Sequence, residues 1–301
     1  YWENLPGGEN YLGGVFCFKE TELDPWTPLH VDVRPGTLGI MEGQSSHYDT
    51  TMSLPDGLRY IGPDAFPDGM YELVDFTLPE SVTYIDDVPN GHRGVPKSAL
   101  RDLPDALTYI GDKAFSGHSI DISYLEIPNG VKYIGQKAFA HINTGSSQKM
   151  DVRLPDSLEY MDWAAFTNNN IGQITNWPAA ITTWNDFLLG CQMDALTLPD
   201  TILNVHRLTS YSSPVMNLNR VKVIEGFSGY GYADIYTSDT IQPGSGTILM
   251  PNLERVFPNT HIGGDGAGVV AIPNMEVYVP FNGVDEGFDE HLNVVIFEPS
   301  M

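Results

Sequence analysis

The chain has 301 residues, and its 15 basic and 39 acidic side chains give it a formal net charge of −24. This acidic excess argues against binding to nucleic acid or to an anionic membrane surface, since both need clustered Lys and Arg. Hydrophobic residues make up 42% and charged residues only 18%, which excludes an acidic disordered chain. The 30 Gly and 22 Pro predict many short elements joined by turns, not a helical bundle. No apolar run reaches the 18 residues that membrane insertion would need.

Residues 1–50 come first and contain no clear repeat. From residue 51 the sequence repeats itself, in four segments that read almost alike: LPDGLRYIGPDAF from Leu54, LPDALTYIGDKAF from Leu103, IPNGVKYIGQKAF from Ile127 and LPDSLEYMDWAAF from Leu154. Looser copies start at Leu78, Trp177, Leu198, Met250 and Ile272, and one without its proline lies around 217–224. The phase-marking prolines recur about every 24 residues, a period typical of leucine-rich repeats.

Each position of the repeat has a predicted structural role. Apolar and polar residues alternate before each proline, as in Phe76 and Leu78, which predicts a strand with one buried face. Proline ends the strand because it cannot donate to the ladder, and the Asp, Asn or Gly after it forms a turn. The Ala-Phe pairs that end at Phe66, Phe115, Phe139 and Phe166 are predicted to close the turn and fill the core.

The resulting organisation is one structural domain. Residues 1–50 are predicted to be an N-terminal cap, in which Phe16, Phe18, Trp26, Leu29, Val31 and Val33 cover the first turn. Residues 51–280 are predicted to form about ten repeats, with a Gly- and Tyr-rich insertion at 226–246. Residues 281–301 are predicted to be a C-terminal cap.

The pattern L-x-I/L-P-x-x-L/V-x-x-I-G-x-x-A-F-x-x-C resembles the BspA-like leucine-rich repeat family, over roughly residues 51–280. Cys191 matches the Gly-Cys position of that family, where His118 stands in an earlier repeat. The resemblance implies a right-handed, β-rich solenoid, an α/β-type superhelix with a parallel β-sheet on the concave face and short turns or helical segments on the other side. The stretch from Val277 is similar to the family's terminal cap.

The resemblance also implies a location and a class of partner. Proteins of this family are common on the surfaces of gut and oral bacteria. We therefore expect export to the cell surface or periplasm, with anchoring through a lipid on a segment outside this chain as one route. The expected partner is a host or bacterial surface protein or a glycan, and the expected state is a monomer.

Two surfaces are candidates for binding. The first is the outward face of the strands before the prolines, where the alternation exposes a polar set of mixed charge: Tyr124, Glu126, Asp151, Arg153, Asp75 and Asn176. Parallel pairing should place Tyr124 beside Asp151 and Glu126 beside Arg153. Aromatic residues and Arg supply most of the binding energy at protein interfaces, which favours this face.

The second candidate surface is a tyrosine ladder on the return side of the coil. Five successive repeats carry tyrosine at the same position: Tyr60, Tyr84, Tyr109, Tyr133 and Tyr160. Equivalent side chains of a solenoid stack at strand spacing, so the rings should form a column. The column either stabilises the coil or offers an aromatic platform to a ligand.

The sequence contains no complete catalytic or metal-binding motif. GFSGY from Gly226 lacks the final Gly of a nucleophile elbow, and GDGAG from Gly264 lacks the Lys of a phosphate loop. His118 and His141 fall near equivalent points of adjacent repeats, but two histidines alone do not define a metal site. Cys17 and Cys191 are far apart in the chain, which favours separate thiols over a disulfide. We expect no cofactor and no metal.

Three hypotheses follow. The first is a non-catalytic cell-surface module that binds a protein or glycan through the concave face. The second is a scaffold or spacer that presents another domain. The third is an enzyme that uses residues 225–268, which would need a deep pocket with perturbed titratable groups.

Overall fold

A computed structural model of the chain describes residues 15–19, 29–33, 35–44, 50–66, 70, 73, 75–91, 94–117, 120–145, 147–210, 215–224, 233–237, 246–256, 260–263, 267–273, 287–288 and 293–297. In these ranges the chain winds into a coil of short parallel strands. A 3-10 helix, Lys97–Arg101, accompanies them. The predicted β-rich solenoid is confirmed.

The strands of the first half are β1 Val15–Lys19, β2 Leu29–Asp32, β3 Gly39–Gln44, β4 Thr50–Ser53, β5 Tyr60–Asp64, β6 Tyr84–Ile85, β7 Tyr109–Ile110, β8 Tyr124–Glu126, β9 Tyr133–Ile134, β10 Met150–Arg153, β11 Tyr160–Met161 and β12 Ile171–Thr175. Those of the second half are β13 Thr183–Asn185, β14 Leu196–Thr197, β15 Asn204–Ser210, β16 Val215–Asn217, β17 Val223–Ile224, β18 Ala233–Thr237, β19 Gly246–Leu249, β20 Arg255–Val256, β21 Thr260–Gly263, β22 Ala267–Pro273, β23 Gly287–Phe288 and β24 Asn293–Phe297.

The return side of the coil holds a seven-stranded parallel sheet, here called the tyrosine sheet, in the order β1-β3-β5-β6-β7-β9-β11. Turns or helical segments were expected on this side. From β6 onward each strand is only two residues long, a Tyr followed by Ile or Met, with the Ile or Met buried. The sheet includes β1 and β3, so the parallel ladder extends into the segment predicted to be the N-terminal cap.

Glycine follows the Tyr-Ile pair because successive turns of the coil touch there. A Cβ atom added at Gly111 would lie 2.5 Å from the backbone of Asp86 and Asp87, and one at Gly135 would lie 2.5 Å from the backbone nitrogen of Asp112. No side chain fits at such a distance. The repeated Ile-Gly therefore sets how closely the turns stack.

The strands before the prolines form three separate parallel ladders: β2-β4, then β8-β10-β12, then β14-β16-β19-β22-β24. In seven of the turns that follow these prolines, those after Pro55, Pro79, Pro104, Pro128, Pro155, Pro178 and Pro199, the proline carbonyl accepts the N–H of the residue three positions later, as Pro104 does from Leu107. In the second half, β15 pairs with β17 and β18, and β18 lies within the predicted insertion. The proline-less copy at 217–224 also joins the coil, through β17.

The core lies between these ladders and a third side formed by the Ala-Phe turns. Phe115, Phe139 and Phe166 are fully buried and stacked, with ring centroids 5.5 Å and 5.0 Å apart. Backbone hydrogen bonds join the same turns, from Phe115 N–H to the carbonyl of Ala138 and from Phe139 N–H to that of Ala165. The predicted core role of these phenylalanines is confirmed, and Phe66 is buried as well.

Buried amide and thiol groups follow the phenylalanines. The Asn169 side-chain amide donates to the carbonyls of Phe139 and Phe166, at 2.8 and 2.7 Å, and its oxygen accepts the N–H of Asn143. Cys191, one repeat later, donates its Sγ–H to the same Phe166 carbonyl at 3.0 Å. Cys191 is a free, buried thiol, and burial raises its pKa to about 12. The repeat position that the family fills with Cys thus bonds backbone carbonyls between turns.

Candidate functional site: the exposed strand face and the cleft at its edge

Strands β8 and β10 carry the predicted mixed cluster. Their register pairs Tyr124 with Asp151 and Glu126 with Arg153, as the sequence predicted. Leu125 and Val152, between them, are buried, so the alternation points the cluster outward. The Tyr124 side chain is 49% exposed, one of the three large hydrophobic residues that stand out among the described residues.

Three members of the cluster contact each other. The Arg153 guanidinium lies 3.3 Å from one Glu126 carboxylate oxygen, and the Tyr124 hydroxyl donates to the other at 3.4 Å. The Glu126 side chain is 55% exposed and that of Arg153 32%, so the ion pair is solvated and worth about 0.2–1 kcal/mol to the fold. A partner's charges could separate it at little cost to stability.

Asp151 has a different role. Its two carboxylate oxygens accept the backbone N–H and the side-chain amide of Gln173, at 3.1 and 3.0 Å. These bonds stabilise a bulge, because β12 has two residues between Ile171 and Ile174 where β10 has only one, Asp151, between Met150 and Val152. Asp151 is therefore engaged within the sheet.

Two predicted members lie away from this cluster. Asn176 was predicted to lie on the outward face of a strand, but the residue that pairs with Arg153 is Thr175, and β12 ends there. Asn176 adopts a left-handed φ of 58° and donates its amide to the Leu154 carbonyl and to Asp156, so it closes the turn. Thr175 lies three positions before Pro178, whereas Arg153 lies two positions before Pro155, so one extra residue shifts Asn176 out of the predicted position.

Asp75 is exposed, but the strand predicted at residues 76–78 does not form. The hydroxyl of buried Ser98 accepts the N–H of Phe76 and donates to its carbonyl, at 3.0 and 2.9 Å. A side chain thus bonds the backbone groups that a neighbouring strand would use. This part of the prediction was wrong, and Asp75 lies outside the β8-β10-β12 ladder.

The ladder ends at β8 because the preceding turn of the coil has a 3-10 helix, Lys97–Arg101, in place of a strand. Between this helix and β8 lies a cleft of about 530 Å³. Leu100, Leu103, Arg101 and Asp102 line it on one side, and Tyr124 and Glu126 on the other. Asp105 and Asn129 also line the cleft, where the next turns begin.

Arg101, Asp102 and Asp105 were not predicted to be site residues. One signal was present: Ala99 and Leu100 are adjacent apolar residues within a Lys-Ser-Ala-Leu-Arg run of helix formers, which breaks the alternation before Pro104. A missing strand opens the edge of its neighbour. The break in alternation therefore indicates the cleft.

The tyrosine ladder forms as predicted. The ring centroids of Tyr84 and Tyr109 are 4.2 Å apart and those of Tyr109 and Tyr133 4.5 Å, each pair within 2° of parallel. Tyr60 and Tyr160 extend the column at 5.6 Å and 5.2 Å. Tyr60 is buried, whereas Tyr160 is 48% exposed, so the column opens to solvent only towards its later end.

Carboxylates lie along the ladder. The Tyr60 hydroxyl donates to Asp86, and that of Tyr109 to Asp87 at 3.4 Å. Burial, then nearby carboxylates, raise the pKa of Tyr133 to about 12. Asp87 and Asp112 also accept backbone N–H groups of the next turn, those of Asp112 and Gln136. These contacts assign the ladder a stabilising role within the coil.

Other predicted groups carry little chemistry. His141 is exposed and lies 3.3 Å from the Asn168 amide, while His118, the side chain of Cys17, most of the 226–246 insertion and residues 281–286 fall outside the described residues. Within the described ranges, no group of three or more His, Cys, Asp or Glu could hold a metal ion. Nor does any helix there have the length and apolar character to cross a membrane.

Comparison with known proteins finds similar solved structures and a matching family. No curated protein matches the chain. Among solved structures it is similar to a leucine-rich repeat protein from Bacteroides ovatus ATCC 8483, at 16% identity and a TM-score of 0.38, over 90% of this chain and 92% of that one. It is also similar to YopM from Yersinia enterocolitica WA-314, at 16% identity and a TM-score of 0.40, over 91% of this chain and 63% of that one.

The model of the BspA type leucine-rich repeat region matches in six copies, over residues 44–88 and 99–215. These residues make up more than half of the chain, and they include the tyrosine ladder, the exposed strand face and the cleft. The chain therefore belongs to the BspA-type leucine-rich repeat family.

Proposed function

We propose that this protein is a non-catalytic interaction module that binds a protein or a glycan through the exposed face of β8 and β10. The observation that supports this most is the position of Tyr124, half exposed beside an exposed Arg–Glu pair at the edge of a cleft. Tyr and Arg on a rigid sheet are the residues that most often carry binding energy at interfaces.

Binding fits the coil better than catalysis does. The Phe, Ile and Leu side chains of the repeats pack against neighbouring turns in the core, which leaves the exposed strand face for contacts with a partner. Leucine-rich repeat solenoids commonly act as binding surfaces. We further propose export to a bacterial cell surface, in line with the family, with anchoring by a segment outside this chain.

A binding array of glycans and extracellular-matrix proteins tests this proposal. We expect a ligand whose affinity falls by more than about 1 kcal/mol in both Tyr124→Ala and Arg153→Ala. Tyr160→Ala is a matched control, because Tyr160 is as exposed as Tyr124 but lies on the tyrosine sheet. Lys132→Ala is a second control, since Lys132 forms an exposed ion pair with Glu159 on that side.

The outcomes separate the hypotheses. Loss of binding in Tyr160→Ala with no change in Tyr124→Ala would move the site to the tyrosine ladder. A wild-type chain that binds no member of the array would leave the spacer hypothesis as the better account.

A further inference from the structure

We infer that the cleft beside β8 accepts an extended segment of a partner protein, which adds as a strand to the open edge of β8 and is selected for basic side chains. This inference rests on the proposed binding function and specifies its partner as a peptide segment. It is argued from three features of the cleft: backbone groups, size and charge.

One edge of β8 has no neighbouring strand, because β8 is the last strand of its ladder. In the register of β8 with β10, Asp151 N–H donates to the Ser123 carbonyl and Ile127 N–H donates to the Arg153 carbonyl, so those groups face β10. The N–H and C=O groups of Tyr124 and Glu126 then point the other way, towards the cleft. Among the described residues, the backbone of residues 98–103 supplies them with no hydrogen bond. An unpaired strand edge is a template for a further strand.

The size of the cleft matches a short strand. Three extended residues span about 10 Å, strands lie about 4.8 Å apart and the layer is about 10 Å thick, which gives roughly 480 Å³. The cleft measures about 530 Å³. The added strand would lie where the 3-10 helix replaces the strand of the preceding turn, with its inward side chains towards Leu100 and Leu103.

Charge selects the occupant. Asp102, Asp105 and Glu126 line the cleft with a single basic residue, Arg101. Asp102 and Asp105 are exposed, and no ion pair of the described residues involves either carboxylate. Outward side chains of an added strand would lie beside Tyr124 and Glu126, within reach of these carboxylates. A basic strand is therefore favoured over an acidic one.

The test uses the full chain and three blocked heptapeptides. Ac-TKVKVKT-NH2 has the predicted pattern, Ac-TEVEVET-NH2 reverses its charge, and Ac-TKPKPKT-NH2 keeps the charge but lacks two of the backbone N–H groups that a strand can donate. We expect the first to bind at least about tenfold more tightly than either of the others, and hydrogen exchange at the amides of Tyr124 and Glu126 to slow when it binds. If the valine and proline peptides bind equally well, the binding is explained by attraction of a basic peptide to a chain of net charge −24, and the inference is overturned.

Strand addition requires the open edge of β8 and the acidic lining of the cleft, and separate variants of this chain test each requirement. Glu126→Pro removes an N–H that β10 does not use, and we expect it to weaken the basic peptide about tenfold relative to Glu126→Gln, which keeps the N–H. Asp102→Asn with Asp105→Asn should weaken it several-fold, and Asp75→Asn, outside the cleft, should not. The Asn pair remains informative if Glu126→Pro does not fold.

The inference and the proposed function can fail independently. A ligand from the array that depends on Tyr124 and Arg153 but binds Glu126→Pro as tightly as Glu126→Gln would overturn strand addition while leaving the binding function in place. Selective binding of the valine peptide, lost in Glu126→Pro, would support the inference.

Discussion

Removal of the Phe139 ring should destabilise the coil more than any other single truncation proposed here. Phe139 is fully buried, and its ring stacks on Phe115 at 5.5 Å and on Phe166 at 5.0 Å. Truncation of a buried Phe to Ala costs about 3–5 kcal/mol, and each aromatic pair contributes about 0.5–1.5 kcal/mol beyond burial. Because Phe139→Ala loses both pairs, we expect a loss near 5 kcal/mol.

Urea unfolding followed by circular dichroism measures this loss. Phe139→Leu is the matched control, because it loses the same two aromatic pairs but keeps most of the apolar volume, and it should cost about 1–3 kcal/mol. The slope of the transition also matters, because coupling between neighbouring turns decides whether the coil unfolds as one unit. A loss under about 1 kcal/mol in Phe139→Ala, at an unchanged slope, would refute the stacked phenylalanine core.

Three further predictions concern polar groups. Burial raises the pKa of Tyr133 to about 12 and raises those of the other ladder tyrosines. Their stabilising contribution is therefore complete below about pH 10 and lost as pH rises towards the folded values, so near-ultraviolet absorbance should show ladder ionisation coinciding with unfolding. Burial also raises the pKa of Asp112, so its contribution to the stability of the fold is present at low pH and is lost as pH rises. Asp112→Asn should therefore have a higher melting temperature than the wild type at pH 7. The difference between the two melting temperatures should close below about pH 4. Asn169→Ala removes the side-chain partner of the Phe139 carbonyl and of the Asn143 N–H, while the Phe166 carbonyl keeps its bond from Cys191, so the variant should cost roughly 2 kcal/mol or more in urea unfolding.

The repeat made much of the fold predictable. The prolines mark the phase of each turn, so the neighbours of Tyr124 and Glu126 followed from counting two and four residues back from Pro128 and Pro155. The stacking of the ladder tyrosines followed from the same count. These predictions needed only equal lengths of chain between equivalent positions.

Predictions were wrong where those lengths change. Asn176 is displaced because one more residue separates β12 from Pro178 than separates β10 from Pro155, and a count from the proline cannot tell where an extra residue lies. The predicted strand at Phe76 does not form, because the backbone N–H and carbonyl of Phe76 are hydrogen-bonded to the hydroxyl of Ser98, a residue 22 positions away. Such a contact depends on tertiary structure, which overrides local alternation.

The missing strand beside β8 also has a mechanical consequence. At this level, successive turns are joined through the Tyr109–Tyr133 strands and through the Phe115–Phe139 turns, while the third side has no backbone ladder. Opening or closing that side bends the rod about the two joined sides without breaking a backbone hydrogen bond, whereas bending across β8 and β10 would break several. We therefore expect the coil to bend more easily at the level of the cleft than at β8 and β10. A strand bound there would add the missing ladder and stiffen the coil at that level.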